Sequence, residues 1–168
     1  MACQHKSCCT THHTLLSGVV NTEGGMRTLP QEELNSLLKQ VVVDRCVPCV
    51  RQVLLAGADP NVSMKQDMWY PVETPLHGAA RDNRVDLIQL LIAFGADIHL
   101  LSGTRRTPKE LAITGSEVQN LLVLNESEPH TLLHQCRQKV HLVLGRRRLY
   151  RLTNLDVPIG LKDYLYGK

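Results

Sequence analysis

Near its middle the chain reads Thr74-Pro75-Leu76-His77-Gly78-Ala79-Ala80, and 33 residues later it reads Thr107-Pro108-Lys109-Glu110-Leu111-Ala112-Ile113. In each copy the threonine is a preferred N-cap, and the proline stands in the first turn, where a helix needs no backbone N–H. The small residues that follow allow helices to approach closely. The two copies therefore predict two helices that begin at equivalent points of a repeated unit.

A second pair of similar stretches covers residues 50–61 and 88–99, and each contains an apolar run followed by Gly-Ala-Asp. We expect both runs to be helices that end at Gly57 and Gly95, because glycine is the usual residue of a left-handed C-cap. These copies are 38 residues apart instead of 33, so five extra residues fall in an inserted loop around 67–73.

The 33-residue period with Thr-Pro-Leu-His and Gly-Ala-Asp resembles the ankyrin repeat. The resemblance is strongest over residues 74–106 and implies about two and a half repeats, near or below the ~3 that a stable array usually needs. The last repeat departs from the pattern, because Lys109 and Glu110 replace the leucine and histidine. For residues 115–124 we expect only a shortened second helix, followed by a break at 125–129.

One further helix is predicted at 28–43, where it would cap one end of the repeats. Thr28 and Gln31 fit a capping box, with Thr28 as the N-cap. The apolar residues that follow recur at helical spacing on one face: Leu34, Leu37, Leu38, Val41 and Val42. Residues 1–27 lack such periodicity and are expected to be a disordered tail, although their cysteines and histidines leave metal binding open.

The six cysteines do not predict a disulfide framework, because no secretory signal accompanies them. Cys46-Val47-Pro48-Cys49 is a CxxC sequence with three readings. A zinc site would require a second pair of ligands, and a redox motif would require a preceding strand. We therefore interpret the pair as two cysteines at the start of a buried helix, and we expect neither a metal nor a cofactor.

Near the C-terminus, Leu132, Cys136 and Val140 are spaced four residues apart and predict one apolar line on a helix. Residues 129–166 resemble the SOCS box, whose elongin C contact reads Thr/Ser-Leu, three residues, Cys, three residues and an aliphatic residue. The resemblance implies that Thr131, Leu132, Cys136 and Val140 bind elongin C. It also implies a three-helix SOCS box over 129–168.

The part of this box that selects cullin-5 resembles a later segment of the chain. The family pattern is Leu-Pro-aliphatic-Pro followed by spaced apolar residues that end at an aromatic residue. It matches five positions of this chain: Leu155, Val157, Pro158, Leu161 and Tyr164. Asp156 stands where the family has its first proline, which weakens the expected cullin contact.

Together the two modules resemble the ankyrin repeat and SOCS box family, and the fold is predicted to be all-α. Residues 28–125 would be an ankyrin-repeat region, a short solenoid that holds a target protein. The box would recruit elongins B and C, cullin-5 and its RING partner, so that the target is ubiquitinated and degraded by the proteasome. The alternative is a scaffold or decoy that recruits no active ligase. The resemblance implies no enzymatic activity, and His134 and Cys136 do not share a helix face as a catalytic pair would.

For the target we expect a contact with Trp69 and Tyr70 in the inserted loop, because these residue types often anchor protein interfaces. The alternative is that the loop folds back and packs Trp69 against Met64 or Met68. Arg105 and Arg106, at the tip of the next loop, would either pair with acidic groups of the target or remain solvated. The charge excess of residues 126–168, eight basic against four acidic residues, is too small to favour nucleic acid. With no apolar stretch of membrane-spanning length, we expect a soluble, cytoplasmic protein, and the basic run 146–148 leaves nuclear entry open.

Overall fold

The computed structural model describes residues 30–64, 72–127 and Gly160, and every regular element in this part of the chain is a helix. In chain order the helices are α1 Gln31–Val43, α2 Val47–Leu55, α3 Pro75–Arg81, α4 Val85–Ala93, α5 Pro108–Leu111 and α6 Glu117–Ser127. The all-α prediction is confirmed for these residues. They fall into two compact units, 30–59 and 60–127.

The first unit is a helical hairpin in which α1 packs against α2. The predicted apolar stripe is its core: Leu34, Leu38, Val41 and Val42 are buried, and Leu37 is half-buried. Burying one such leucine contributes about 1.5–3 kcal/mol. The predicted capping box is wrong, because the N-cap is Pro30 and no side chain bonds there. The Gln31 amide instead donates to the Gly57 carbonyl oxygen, 3.0 Å away.

The helices α2 and α4 end in the predicted glycine pattern. Gly57 and Gly95 have φ angles of 108° and 87°, values that L side chains rarely adopt. After each glycine, the N–H of Ala58 or Ala96 donates to a carbonyl one turn back, which is the Schellman arrangement. The expected left-handed caps at both glycines are confirmed.

The 38-residue offset also relates the ends of both helices of the first two hairpins and the starts of their second helices. The helices α1 and α2 end at Val43 and Leu55, and α3 and α4 end 38 residues later, at Arg81 and Ala93. The tight turns between them are also equivalent, since Arg45 and Asn83 both adopt positive φ. The helix predicted to be an end cap is therefore the first helix of a repeat-like hairpin.

The second unit contains α3 to α6. Its core comes mainly from α3 and α4, whose fully buried side chains include Leu76, Ile88 and Leu91. The Asn61 side chain joins the start of the unit to the end of α4: its amide donates to the Gly95 carbonyl oxygen at 3.3 Å and accepts from the Asp97 N–H at 2.8 Å. Asn61 therefore fixes the Gly-Ala-Asp turn that precedes the next loop.

The last hairpin has a short first helix, and its second helix differs from the prediction. The first helix, α5, is only four residues long, because the backbone of Ala112 is extended with ψ 148°. The second, α6, is not shortened: it has 11 residues and continues through Asn125 to Ser127, where the sequence predicts a break. Only Val118 and Leu122 of α6 are buried. The apolar pattern of this helix is therefore weak, which is why the sequence did not predict its full length.

Candidate protein-binding surface

The loop that carries Arg105 and Arg106 is a tight turn organised by Ser102. The N–H of Ser102 donates to the Arg106 carbonyl oxygen, and the N–H of Arg105 donates to the Ser102 carbonyl oxygen, both at 2.8 Å. The buried Ser102 hydroxyl lies 2.8 Å from the Thr104 hydroxyl and accepts from the Arg106 N–H at 3.2 Å. This turn leaves both arginine side chains exposed.

The inserted loop meets this turn at its base. The Met64 N–H donates to the Glu73 carbonyl oxygen at 2.6 Å and thus closes the loop at its two ends. The Gly103 N–H donates to the Val72 carbonyl oxygen at 2.7 Å, which ties the closed end to the neighbouring turn. The structure therefore brings the foot of the inserted loop beside Arg105 and Arg106. Trp69 and Tyr70 themselves lie outside the described residues.

Two exposed apolar side chains that were not predicted from the sequence border this junction. Leu101 is 60% exposed and Val72 is 42% exposed. Apolar side chains next to exposed arginines are a combination that protein interfaces favour. No spacing pattern distinguishes them from core residues in the sequence, because their exposure depends on how the two loops pair. We define Val72, Leu101, Arg105 and Arg106 as the loop surface.

His77 is fully buried and anchors the loop surface through hydrogen bonds. Its Nδ1 accepts from the Thr74 N–H at 3.2 Å and lies 2.8 Å from the Thr74 hydroxyl, so this side of the ring bonds within its own repeat. Its Nε2 lies 3.2 Å from the Arg106 carbonyl oxygen. Because that oxygen only accepts, Nε2 carries the proton and donates to it. The sequence did not predict this hydrogen bond to the next repeat.

In the following repeat, Glu110 occupies the position of His77. Its carboxylate accepts from the Thr107 N–H at 2.8 Å, and its own N–H donates to the Thr107 hydroxyl at 3.4 Å. These bonds to Thr107 lower the pKa of Glu110. Glu110 thus completes a capping box but is exposed, so it anchors no further loop.

Burial lowers the pKa of His77 below its usual 6.5, and the opposing effects of the Arg106 and Leu100 carbonyls and the Glu73 charge are smaller. Below pH 6.5 the unfolded chain binds a proton at this histidine that the folded chain resists. The free energy of unfolding should therefore be intact above pH 6.5 and fall as the pH drops towards the lower folded pKa. For one proton the slope is at most about 1.4 kcal/mol per pH unit.

Urea unfolding of the whole chain between about pH 7 and pH 5 measures this slope. A His77→Asn variant should lose the histidine contribution, whereas His99→Asn, at an exposed position, should keep it. Equal slopes in wild type and His77→Asn would contradict the assignment. Asp86 and Glu110, whose pKa values are lowered from 3.8 and 4.5, affect stability only at lower pH.

The residues assigned to elongin C and cullin-5 lie outside the described residues. They are Thr131, Leu132, Cys136 and Val140 for elongin C, and Leu155, Val157, Pro158, Leu161 and Tyr164 for cullin-5. The ranges 30–64 and 72–127 contain no cluster of three or more His, Cys, Asp or Glu side chains placed to hold a metal ion. Within the same ranges no helix has the length and apolar character to cross a membrane.

Two family models match the chain: the ankyrin repeat at residues 73–102 and the SOCS box at residues 128–166. The chain therefore combines a repeat-type protein-binding module with a C-terminal SOCS box. The relationship to ankyrin repeat and SOCS box proteins that the motifs predict is confirmed by these matches and by curated relatives that carry this name.

Among these relatives is Ankyrin repeat and SOCS box protein 5 of Bos taurus, 36% identical over 117 residues, which are 70% of this chain and 34% of the relative. Protein 11 of Mus musculus is 32% identical over 161 residues, 96% of this chain and 45% of the relative. The chain thus spans less than half the length of these relatives. The crystal structure of the human ASB11 ankyrin repeat domain matches 55% of this chain and 39% of that domain, at 29% identity and a TM-score of 0.45.

Proposed function

We propose that this chain is a substrate-recognition adaptor of an elongin B/C–cullin-5 RING ubiquitin ligase. It would bind a target protein through its ankyrin repeats and promote ubiquitination and proteasomal degradation of that target. The observation that carries this proposal is the presence of both modules in one chain, at 73–102 and 128–166. The chemistry of ubiquitin transfer would belong to the RING partner and its conjugating enzyme, so the adaptor itself is not an enzyme.

The elongin C contact is proposed at the line formed by Leu132, Cys136 and Val140, with Thr131 at its start. Helical spacing predicts that these three side chains share one face. Leu132 would fill an apolar pocket of elongin C, and the small Cys136 would allow the two helices to approach closely. This contact would be made in the cytoplasm, where the ligase core and its targets meet.

Target recognition is proposed at the loop surface and at the inserted loop beside it. Arg105 and Arg106 would pair with carboxylates of the target, and Val72 and Leu101 would cover apolar groups between them. The hydrogen bonds of Ser102 and His77 support this assignment, because they hold the turn without covering the arginines. Trp69 and Tyr70 would then add aromatic contacts from the loop whose foot adjoins the same turn.

Coexpression with elongins B and C tests the adaptor proposal directly. The whole chain should copurify with both elongins, and the resulting complex should bind cullin-5 with its RING partner. A chain that copurifies with neither elongin would overturn the proposal. A chain that binds the elongins but never cullin-5 would instead be the scaffold or decoy.

Asp156→Pro is expected to strengthen cullin-5 binding by the assembled elongin complex. Proline restores the family pattern at this position, and its fixed φ lowers the conformational entropy that ordering this segment costs. A gain of about 0.4–1 kcal/mol corresponds to roughly twofold to fivefold tighter binding. Titration of cullin-5 against both complexes measures this change. Asn154→Pro, outside the pattern, is the matched control and should give no gain.

A further inference from the structure

The proposed adaptor function does not use the buried cysteine pair at the start of α2. Cys46 is the N-cap of this helix, and Cys49 lies in its first turn. Neither forms a disulfide, and they are only 2% and 6% exposed. Their Sγ atoms are 2.9 Å apart, with Cys46 donating to Cys49. The two sulfur atoms therefore face each other at close range within the core.

The backbone holds this pair together. N-cap and third-residue side chains face each other at a helix start, the relation that a capping box uses. The Cys46 N–H donates to the Val41 carbonyl oxygen at 3.2 Å, and the Cys46 carbonyl oxygen accepts from the Val50 N–H at 2.9 Å. Pro48, whose φ is restricted, occupies the helix position between the cysteines. The hairpin thus fixes both sulfur atoms before any bond forms.

We propose that Cys46 and Cys49 are a reversible redox site that closes to a disulfide with a low-molecular-weight disulfide such as oxidised glutathione. A disulfide requires an S–S distance of about 2.0 Å, so the sulfur atoms need to approach by only about 1 Å. Because folding has already brought the thiols together, the native chain should favour the disulfide more than the unfolded chain does.

The reaction is a double thiol–disulfide exchange. Local opening of the hairpin exposes the buried thiols. One cysteine thiolate then attacks oxidised glutathione, forms a mixed disulfide and releases one glutathione thiolate. The other cysteine thiolate attacks the mixed disulfide, forms the Cys46–Cys49 bond and releases the second glutathione thiolate. Two electrons pass from the cysteines to glutathione, and the two protons that the cysteines lose are taken up by the released glutathione thiolates.

The test equilibrates the whole chain in series of reduced and oxidised glutathione that contain a metal chelator, once in buffer and once in urea. After quenching and alkylation, trypsin cleaves after Arg45 and Arg51 and releases peptide 46–51, which contains both cysteines of the pair and no other. Mass spectrometry then distinguishes the dialkylated peptide from the internal disulfide.

The native pair should be half-oxidised at a ratio of oxidised glutathione to the square of reduced glutathione at least tenfold lower than the unfolded chain needs. An equal or higher ratio in the native chain would overturn the proposal. The comparison uses the wild-type chain in both states, so it does not depend on a variant that folds. In a Cys46→Ala variant, peptide 46–51 should contain no internal disulfide.

Discussion

The double change Leu132→Ser and Cys136→Phe should abolish copurification of this chain with elongins B and C. Burying a leucine contributes about 1.5–3 kcal/mol, so loss of Leu132 alone should weaken binding roughly tenfold to a hundredfold. Phenylalanine at position 136 adds bulk where the proposed contact needs a small side chain. Such overpacking typically costs about 1–3 kcal/mol more. The combined loss of binding free energy should abolish copurification of the elongins at ordinary expression levels.

The control for this experiment is Gln138→Ser, in the same segment. Helical spacing predicts that Gln138 lies about 200° around the helix from Cys136, away from the line of Leu132, Cys136 and Val140. This variant should copurify as wild type does. Far-UV circular dichroism of all three chains should agree, since the changes leave residues 30–127 untouched. Retained elongin capture by the double variant would contradict the assigned contact.

The sequence predicted those parts of the fold that depend on neighbouring residues. Thr74 and Thr107 mark the starts of α3 and α5 because a cap and a first-turn proline act within one turn. Gly57 and Gly95 mark helix ends because few other residues tolerate positive φ. The same reasoning failed at Arg45 and Asn83, which adopt positive φ although neither is glycine.

The organisation of the loop surface could not be predicted, because it depends on hydrogen bonds between distant residues. His77 and Arg106 are 29 residues apart, and the Gly103 N–H reaches back to the Val72 carbonyl oxygen. The periodicity of the sequence does not predict hydrogen bonds between such distant residues. The sequence did contain one local indication at Ser102, since a small polar residue that follows two leucines is compatible with a buried turn. Arg105 and Arg106 were predicted from their position at the loop tip, and their target contact stays a prediction.

The elongin and cullin residues were predicted by family pattern alone. The SOCS box match at 128–166 covers all of them. It identifies the module, whereas the individual contacts of Leu132 or Tyr164 depend on a partner surface that the chain does not contain. Spacing can indicate which side chains share a helix face, but only a partner determines which of them become buried.

His77→Ala should lower the free energy of unfolding by roughly 3–5 kcal/mol. The change removes a fully buried ring and leaves the Thr74 N–H and the Arg106 carbonyl oxygen without their partner. An unsatisfied buried group costs about 1–3 kcal/mol, and the vacated volume adds a cavity term. Domains are stable by only about 5–15 kcal/mol, so this loss is a large fraction of the total.

Urea unfolding, followed by far-UV circular dichroism and by the fluorescence of the single tryptophan, measures the loss. His77→Asn should lose less than His77→Ala, because its amide oxygen can replace Nδ1 as the acceptor for Thr74. His99→Ala, at an exposed site, should change stability by less than about 0.5 kcal/mol. If His77→Ala were as stable as His99→Ala, the histidine would not anchor the turn. The Arg106 carbonyl oxygen accepts a hydrogen bond from His77. Loss of this bond should loosen the turn and thereby also weaken target binding by the exposed Arg106 guanidinium.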